Sequence, residues 1–318
     1  MSKNIKNSPE NNEAKVAILL CTMNGEKYLS EQLQSIARQN YHSWTIHASD
    51  DSSNGNSLAI IEKFKNNIPD GKITIQTGPK QGFVRNFLTL TCDSSIQSEY
   101  YAFCDQDDIW HEDKLTLAIA WIRTIPANIP ALYCARTIRV NEKNQIIDYS
   151  PLNKKPPSFS NALVQNIGGG NTMVFNNSAR ELLKKSGPDV DVPAHDWWTY
   201  LLVTGCGGIV FYDQHAVLRY RQHDNNIIGS NGSMMAKISR FRLLLSGRFK
   251  EWNDANISSL QKMLDFLTDE NKIKLAKFSE ARKKSFFKRI YQIWRSGIYR
   301  QSMTGNIGLA CATLFKKI

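Results

Sequence analysis

Apolar residues fall along this 318-residue chain in two rhythms: short unbroken runs, and longer stretches at helical spacing. Residues 16–21 (VAILLC) make an unbroken run of strand length, as expected of a strand covered on both faces. In the TMNGEKYLSEQLQSIARQ that follows, Tyr28, Leu29, Leu33 and Ile36 recur on one helical face, and Glu26, Glu31 and Arg38 fit the polar side. The alternation continues. WTIHASD predicts a strand, SLAIIEKFKNN a helix, KITIQTG a strand, GFVRNFLTLTC a helix and EYYAFC a fourth strand. Strand and helix in turn predict a mostly parallel α/β sheet flanked by helices.

Beyond Trp121 the regularity weakens. IWHEDKLTLAIAWI, just before it, reads as a helix, ALYCARTIRV as a strand, SPLNKKPPSFSN as a loop, and NIGGGNTMVFNN as a strand entered through three glycines. SARELLKKSG predicts a short helix with a glycine stop, and AHDWWTYLLVTGCGG a helix that begins near His195 and Asp196. GIVFYD and AVLRYRQH read as two strands, and from about Ala236 onward the chain reads as wholly helical. The expected organisation is a polar, disordered tail over 1–14, an α/β domain over 15–235 and a basic helical extension over 236–318.

Composition changes this picture only at the C-terminus. With 42% hydrophobic and 10% aromatic residues the chain is an ordinary folded one. The net charge of +11 is unevenly placed: from Lys237 to the end there are 18 Lys and Arg against 6 Asp and Glu, while residues 1–236 carry 22 against 23. Such a cluster attracts phosphates of nucleic acid or of an anionic membrane surface, unless it is only a solvated helical face. The six cysteines stand apart from one another and read as buried thiols of a reducing compartment. The polar opening segment, and the lack of any apolar run near the ~18–20 residues that span a bilayer, predict a cytoplasmic protein.

Candidate chemistry gathers at strand ends. Open α/β sheets bind ligands at the carboxyl ends of their strands, and Asp50–Asp51 and Asp105–Asp108 both fall there, so they are expected near each other. Adjacent carboxylates raise one another's pKa unless a cation or hydrogen-bond donors compensate. Mg²⁺ or Mn²⁺ takes one or two carboxylates and completes its shell with water and phosphate oxygens, so Asp105 and Asp107 point to a metal bridged to a diphosphate. Asp108 has a second reading, as the N-cap or dipole partner of the helix that follows.

These residues, in this order, resemble the family 2 glycosyltransferases of the GT-A fold. The resemblance rests on TMNGEKYLSEQLQSIARQ, on the acidic DDSS turn from Asp50 to Ser53, and on the D-x-D of Asp105 to Asp107. IGGGNTMVFN, HDWW and YRQHDNN are similar to the rhamnosyltransferase-like branch of that family, so the match spans roughly residues 15–230.

The resemblance implies a Rossmann-like GT-A domain that binds a nucleotide-sugar donor. It places Asp50 or Asp51 on the base, with Thr22 and Asn24 nearby, and Arg85 on the nucleotide, although a surface salt bridge is an equal reading of Arg85. Asp105 and Gln106 then border the ribose and the metal, and Asp107 with His223 hold Mn²⁺ or Mg²⁺. Asp196 becomes the general base of an inverting displacement, unless it merely caps its helix. Gly168–Gly170 and Asn171 lack the spacing of a phosphate-binding loop. The resemblance sets Gly169, Gly170 and Asn171, with Trp197 and Trp198, on the acceptor side. Arg219 and Arg221, two apart on a strand, would face phosphate or an acidic acceptor.

The implied donor is dTDP-L-rhamnose, with a UDP-hexose as the alternative, and the implied acceptor is a lipid-linked or surface-polysaccharide glycan. A sugar nucleotidyltransferase would show a Gly-rich signature with Arg and Lys near the N-terminus, which LLCTMNGEKYL lacks. A nucleic-acid-binding protein is suggested only by charge, without a stacking or helix-turn-helix signature. ARKKSFFKRIYQIWRSGIYRQ mixes seven Lys and Arg with Phe286, Phe287, Ile290, Ile293, Trp294 and Ile298. It reads as an interfacial amphipathic helix on the cytoplasmic face of the inner membrane, or as one whose apolar side packs on the catalytic domain.

Overall fold

The computed structural model describes residues 13–51, 53–223 and 247–318. Most of the expected polar tail, Ser52 of the acidic turn and the onset of the helical region near Ala236 lie outside the described residues.

Strand β1 (Val16–Thr22) is buried along its whole length. Its side chains alternate between two cores: Val16, Ile18 and Leu20 enter one, and Ala17, Leu19 and Cys21 the other. A strand covered on both faces needs apolar residues at every position, which is why the run is unbroken. Helix α1 (Leu29–Ala37) buries Leu29, Leu33 and Ile36 against the first core. β2 (Trp44–Asp50), α2 (Ser57–Lys65), β3 (Ile73–Thr77), α3 (Phe83–Cys92) and β4 (Tyr100–Cys104) follow as expected.

The sheet runs β3-β2-β1-β4 with every pair parallel, so the ends of β2, β1 and β4 lie side by side. Thr22 of β1 pairs with Asp50 of β2, and Leu20 with Cys104 of β4. The two acidic tips therefore flank β1. Past β4 the sheet becomes mixed, because β8 (Val174–Asn176) enters antiparallel to both β4 and β6 (Ala131–Val140).

The helix expected to start at Ile109 does not. Ile109–Trp110 is a short strand, β5, and α4 (Lys114–Ile122) begins only after Asp113. GIVFYD and AVLRYRQH are not two strands but one, β9 (Ile209–Arg221), parallel to β6 and antiparallel to β5. Its register against β6 jumps from Asp213↔Ala135 to Ala216↔Arg136, so the polar Asp213–His215 is a bulge rather than a turn. Helix α5 (Phe159–Ala162) begins within the stretch expected to be a loop, and strand β7 (Ile146–Tyr149), on β6, precedes that stretch.

α6 (Asn177–Ser186) and α7 (His195–Gly205) cover the second core. The C-terminal helices α8 (Arg248–Lys262), α9 (Asp269–Lys283), α10 (Phe286–Arg295) and α11 (Met303–Leu314) extend it. Leu260, Phe278, Ile293 and Leu309 join Trp198 and Leu201 in one cluster. Among the described residues no helix is long and apolar enough to cross a membrane.

Candidate active site

At the end of β1, the chain turns through Asn24 with a positive φ of 51°. The amide of Asn24 donates to Ser53 Oγ (2.8 Å), and its Oδ1 accepts from the Asn54 amide (2.9 Å), so the turn after β1 clasps the turn after β2. Asp50 accepts from Thr22 Oγ1 (2.7 Å) and from the Ser53 amide (2.8 Å). Asp51 accepts the Lys80 and Gly82 amides at 2.5 and 2.8 Å, fixing the loop before α3. The expected nucleoside carboxylates thus also build the walls of their own turn.

Gln106 bridges the first and fourth strand tips. Its Oε1 accepts the Met23 amide (2.8 Å) and its Nε2 donates to the Met23 carbonyl (3.0 Å). A side chain committed at both ends to backbone is a strut between the two tips. Gly25 is required beneath it, since a Cβ there would overlap the Gln106 amide. Arg85 turns away from the tips to the Pro188 carbonyl and to Asp189 (2.8 Å), in the salt bridge that was its alternative.

The three carboxylates from Asp105 to Asp108 occupy three environments. Asp107 Oδ2 lies 2.7 Å from His223 Nε2, and the imidazole stacks on Tyr28 with ring centres 5.4 Å apart. Asp105 finds no hydrogen-bond donor among the described residues; burial, then the charges of Asp107 and Asp196, push its carboxyl up to about 7, while Lys114 opposes the shift. Asp108 is fully buried and accepts from Asn171 Nδ2 (2.6 Å) and the Arg221 amide (3.4 Å). Burial first, then Asp107 and Asp105, hold its carboxyl well above the carboxylate range. It caps no helix, because α4 starts six residues later behind Asp113. Asn171, expected on the acceptor side, is buried as the support of Asp108.

Asp196 sits in the first turn of α7, where Ala194 occupies the cap position, so it is not an N-cap. Its Oδ2 accepts the Gly170 amide (3.0 Å) and its Oδ1 the Trp197 amide (2.6 Å). Burial nevertheless raises its pKa above the usual carboxylate value, with these donors opposing. The approach of Gly170 is tight: a Cβ there would lie 2.6 Å from His195 Nε2 and 3.2 Å from Asp196 Cβ. Burial, and then the charges of Asp108, Asp105, Asp107 and Asp196, raise the pKa of the half-buried Tyr220 hydroxyl, so all four acids lie within electrostatic reach of it. Trp197 and Trp198 do not face that space. Trp198 is fully buried with Nε1 on Ser186 Oγ, and Trp197 donates to the Ala162 carbonyl, so both are core residues.

Two cations lie behind the acids, of which sequence reasoning missed Lys114 and misplaced Arg221. Lys114 is fully buried, its ammonium 3.1 Å from the centre of the Trp110 ring and without a hydrogen-bond partner among the described residues. Burial lowers its pKa to about 7, against the pull of Cys104, Asp108 and Asp105. Its signal is positional: Lys114, Ala118 and Ile122 lie on one buried helical stripe. Arg221 was expected to face phosphate. Instead it is 2% exposed and donates to the Asp107 carbonyl (3.1 Å), the Glu142 carbonyl (2.8 Å) and Glu31, with its guanidinium 4.5 Å over the Tyr28 ring. Arg219 donates to Asn144 Oδ1 (3.0 Å).

Among the described residues no group of three or more His, Cys, Asp and Glu is arranged to hold a metal ion, and a cation here would have to rest on the Asp107–His223 pair and Asp105 alone. An ion held by so few side chains completes its shell with water and phosphate oxygens.

Comparison with known proteins agrees with this architecture. The family model "Glycosyl transferase family 2" matches residues 17–183. The chain is 30% identical over 232 residues to the dTDP-rhamnosyl transferase RfbG of Shigella flexneri, covering 71% of this chain and 78% of that one. Among solved structures, S. aureus TarS 1–349 in complex with UDP superposes with a TM-score of 0.54 at 14% identity, covering 95% of this chain and 88% of that one. The Pyrobaculum calidifontis mannosyltransferase PcManGT, solved with GDP-Man and Mn²⁺, gives 0.53 at 17% identity, covering 96% and 86%. A parallel β3-β2-β1-β4 half that carries acids at its strand ends, and a family match over more than half the sequence, lead to one assignment: this chain belongs to glycosyl transferase family 2 and is a glycosyltransferase of the GT-A fold.

Proposed function

We propose that the enzyme transfers L-rhamnose from dTDP-L-rhamnose, with inversion at the anomeric carbon, to a hydroxyl of a lipid-linked or surface-polysaccharide glycan. The observation that carries this reading is Asp105 at a strand end beside the Asp107–His223 pair, with the Asp196 carboxylate close enough to act on it by charge. The sugar and its carrier rest on the likeness to RfbG. Acceptors of this kind are anchored at the inner membrane, so the protein works peripherally on its cytoplasmic face.

Asp107 and His223 would hold Mn²⁺ or Mg²⁺, with Asp105 adjoining. Such an ion, when bound, supplies positive charge to the departing diphosphate. The turns clasped by Asn24, Asp50 and Asp51 give the nucleoside a preformed wall, so little ordering is left for binding to accomplish. Asp196 takes the proton of the acceptor hydroxyl as that oxygen attacks the anomeric carbon. Its raised pKa makes it a stronger base than an exposed carboxylate, and the Gly170 and Trp197 amides keep it oriented. Gly170 lets the backbone close in on this carboxylate, and with Gly169 it lines the acceptor side.

The test is sugar transfer to a lipid-diphosphate-linked glycan, read by mass spectrometry, with dTDP-L-rhamnose, UDP-glucose and UDP-N-acetylglucosamine offered separately. A product heavier by one deoxyhexose, formed only from the dTDP donor, supports the reading. Transfer from a UDP-hexose alone overturns the donor, and a retained anomeric configuration overturns the mechanism.

A further inference from the structure

The sequence left two fates open for the apolar side of the basic C-terminal segment, and α10 takes both. Inward, Ile293 enters the main core and Arg289 is buried, its guanidinium donating to the Thr313 and Leu314 carbonyls at the end of α11. Outward, Phe287, Tyr291 and Trp294 form a second stripe at i, i+4 and i+7, with Phe287 82% and Trp294 76% exposed. Its neighbour α11 repeats the pattern: Leu309 and Ala312 face in, while Met303 (83% exposed), Ile307 and Leu314 face out, followed by Phe315. Folding thus leaves two adjoining helices with large apolar side chains in water, more than scattered surface residues account for.

The charge around these stripes decides what covers them. Residues 281–318 contain nine Lys and Arg and no Asp or Glu. Lys283, Lys288, Arg295 and Lys316 are exposed beside the stripes. A second copy of this chain would bring the same uncompensated positive charge against itself, which opposes self-association. Nucleic acid would satisfy the charge but gives Met303, Ile307 and Leu314 no bases to stack on. Exposed aromatics and aliphatics within a ring of Lys and Arg match the boundary of a bilayer, where apolar side chains enter below the headgroups and cations meet anionic lipid.

We propose that the outward faces of α10 and α11 form a docking surface for a bilayer rich in anionic phospholipid, with Phe287, Trp294, Met303 and Ile307 as the inserting side chains. The surface is tied to the acceptor side of the active site. Between the two helices, Gln301 exchanges hydrogen bonds with the Lys155 backbone (2.9 and 3.0 Å) and donates its amide to Gln165 Oε1 (2.8 Å). The Tyr299 carbonyl accepts from Asn161 Nδ2 (3.0 Å). That segment runs directly on through Asn166 to Gly169 and Gly170, and the Gly170 amide donates to Asp196 Oδ2 (3.0 Å). Docking therefore fixes the wall of the acceptor pocket relative to the membrane, an advantage that rests on the lipid-linked acceptor proposed above.

The experiment is co-sedimentation of the full chain with vesicles of phosphatidylglycerol and phosphatidylcholine in equal parts, and with vesicles of phosphatidylcholine alone, at low and high salt. No nucleotide or sugar is added, so failure here leaves the transfer reaction standing, and failure of transfer leaves lipid binding standing. We expect binding to the anionic vesicles, weakened by salt, and weakened at least about tenfold by Phe287→Ser with Trp294→Ser or by Lys288→Glu with Arg295→Glu. These side chains are exposed, and an unchanged melting temperature identifies variants that remain folded. Absence of binding to anionic vesicles at low salt overturns the proposal, as does binding that both folded variants retain in full. A dimer in solution that the Phe287→Ser, Trp294→Ser variant dissociates, without lipid binding by the parent, would assign the surface to self-association instead.

Discussion

Replacing Arg221 by Met tests whether the Asp107–His223 pair is held from behind. The guanidinium is almost wholly buried and joins four elements: the Asp107 carbonyl in the D-x-D loop, the Glu142 carbonyl beyond β6, Glu31 on α1 and the Tyr28 ring, on which His223 also stacks. Methionine fills much of the volume but donates nothing. Two carbonyls lose their donors at about 1–3 kcal/mol each, and the stacked cation contributes about 0.5–2 kcal/mol more. Glu31 is half exposed and recovers water. Removing a buried charge returns part of the total. The net is a loss of about 2–4 kcal/mol, which for a chain of this length lowers the melting temperature by roughly 3–6 °C. Arg221→Lys rescues little, because an ammonium cannot span three acceptors in a plane. Differential scanning fluorimetry reads the shift, and donor titration reads a raised KM as the Asp107–His223 pair loosens. A melting temperature within about 1 °C of the parent together with unchanged KM would refute the reasoning.

Three other outcomes follow from the same geometry. Asp196→Asn keeps the size of the side chain but not its basicity, and leaves one acceptor for the two backbone amides of Gly170 and Trp197; transfer falls by about 10²–10⁴-fold while dTDP binding, measured by calorimetry, stays near the parent value. Gly170→Ala forces a methyl group against His195 and Asp196, lowering both the melting temperature and kcat, whereas the same change at Gly187, where nothing lies within 4 Å of the added carbon, strains only the backbone and spares kcat. The third concerns pH. Asp105 holds its proton up to about 7 when folded but releases it near 4 when unfolded, so between those values the folded state binds more protons and stability falls as pH rises. Metal-free Asp105→Asn lacks that loss, so its melting temperature relative to the parent should climb from pH 5 to pH 7.5; a constant difference would contradict the assigned environment.

The sequence was most legible where one physical demand acts on every residue of a segment. β1 is covered on both faces, so its apolar run could mean little else, and the acids at the tips of β2 and β4 stand out against such strands. Legibility fails where a residue's partner comes from distant sequence. Arg221 reads like any cation on an alternating strand, and only the fold brings Glu31, 190 residues away, onto it. Lys114 looks like the polar entrance of a helix, yet its position on the buried stripe puts it beneath the acids. Trp197 and Trp198 beside a candidate base suggest an acceptor platform, but α7 is buried nearly all round and needs them for its core. The break expected within β9 failed for a local reason: a bulge and a turn draw on the same polar residues, and the pairing with β6 selects the bulge.

The central claim is that the acids at the strand ends hold a cation which in turn holds the diphosphate, and it is tested most directly by thermal shift with dTDP in the presence of Mn²⁺ or of EDTA, on the parent and on Asp107→Ala. At about 100 times Kd, binding adds about 2.7 kcal/mol, a shift of several degrees. The account predicts that shift for the parent with Mn²⁺, and its loss both with EDTA and in Asp107→Ala. Equal stabilisation by dTDP in all three conditions would contradict it.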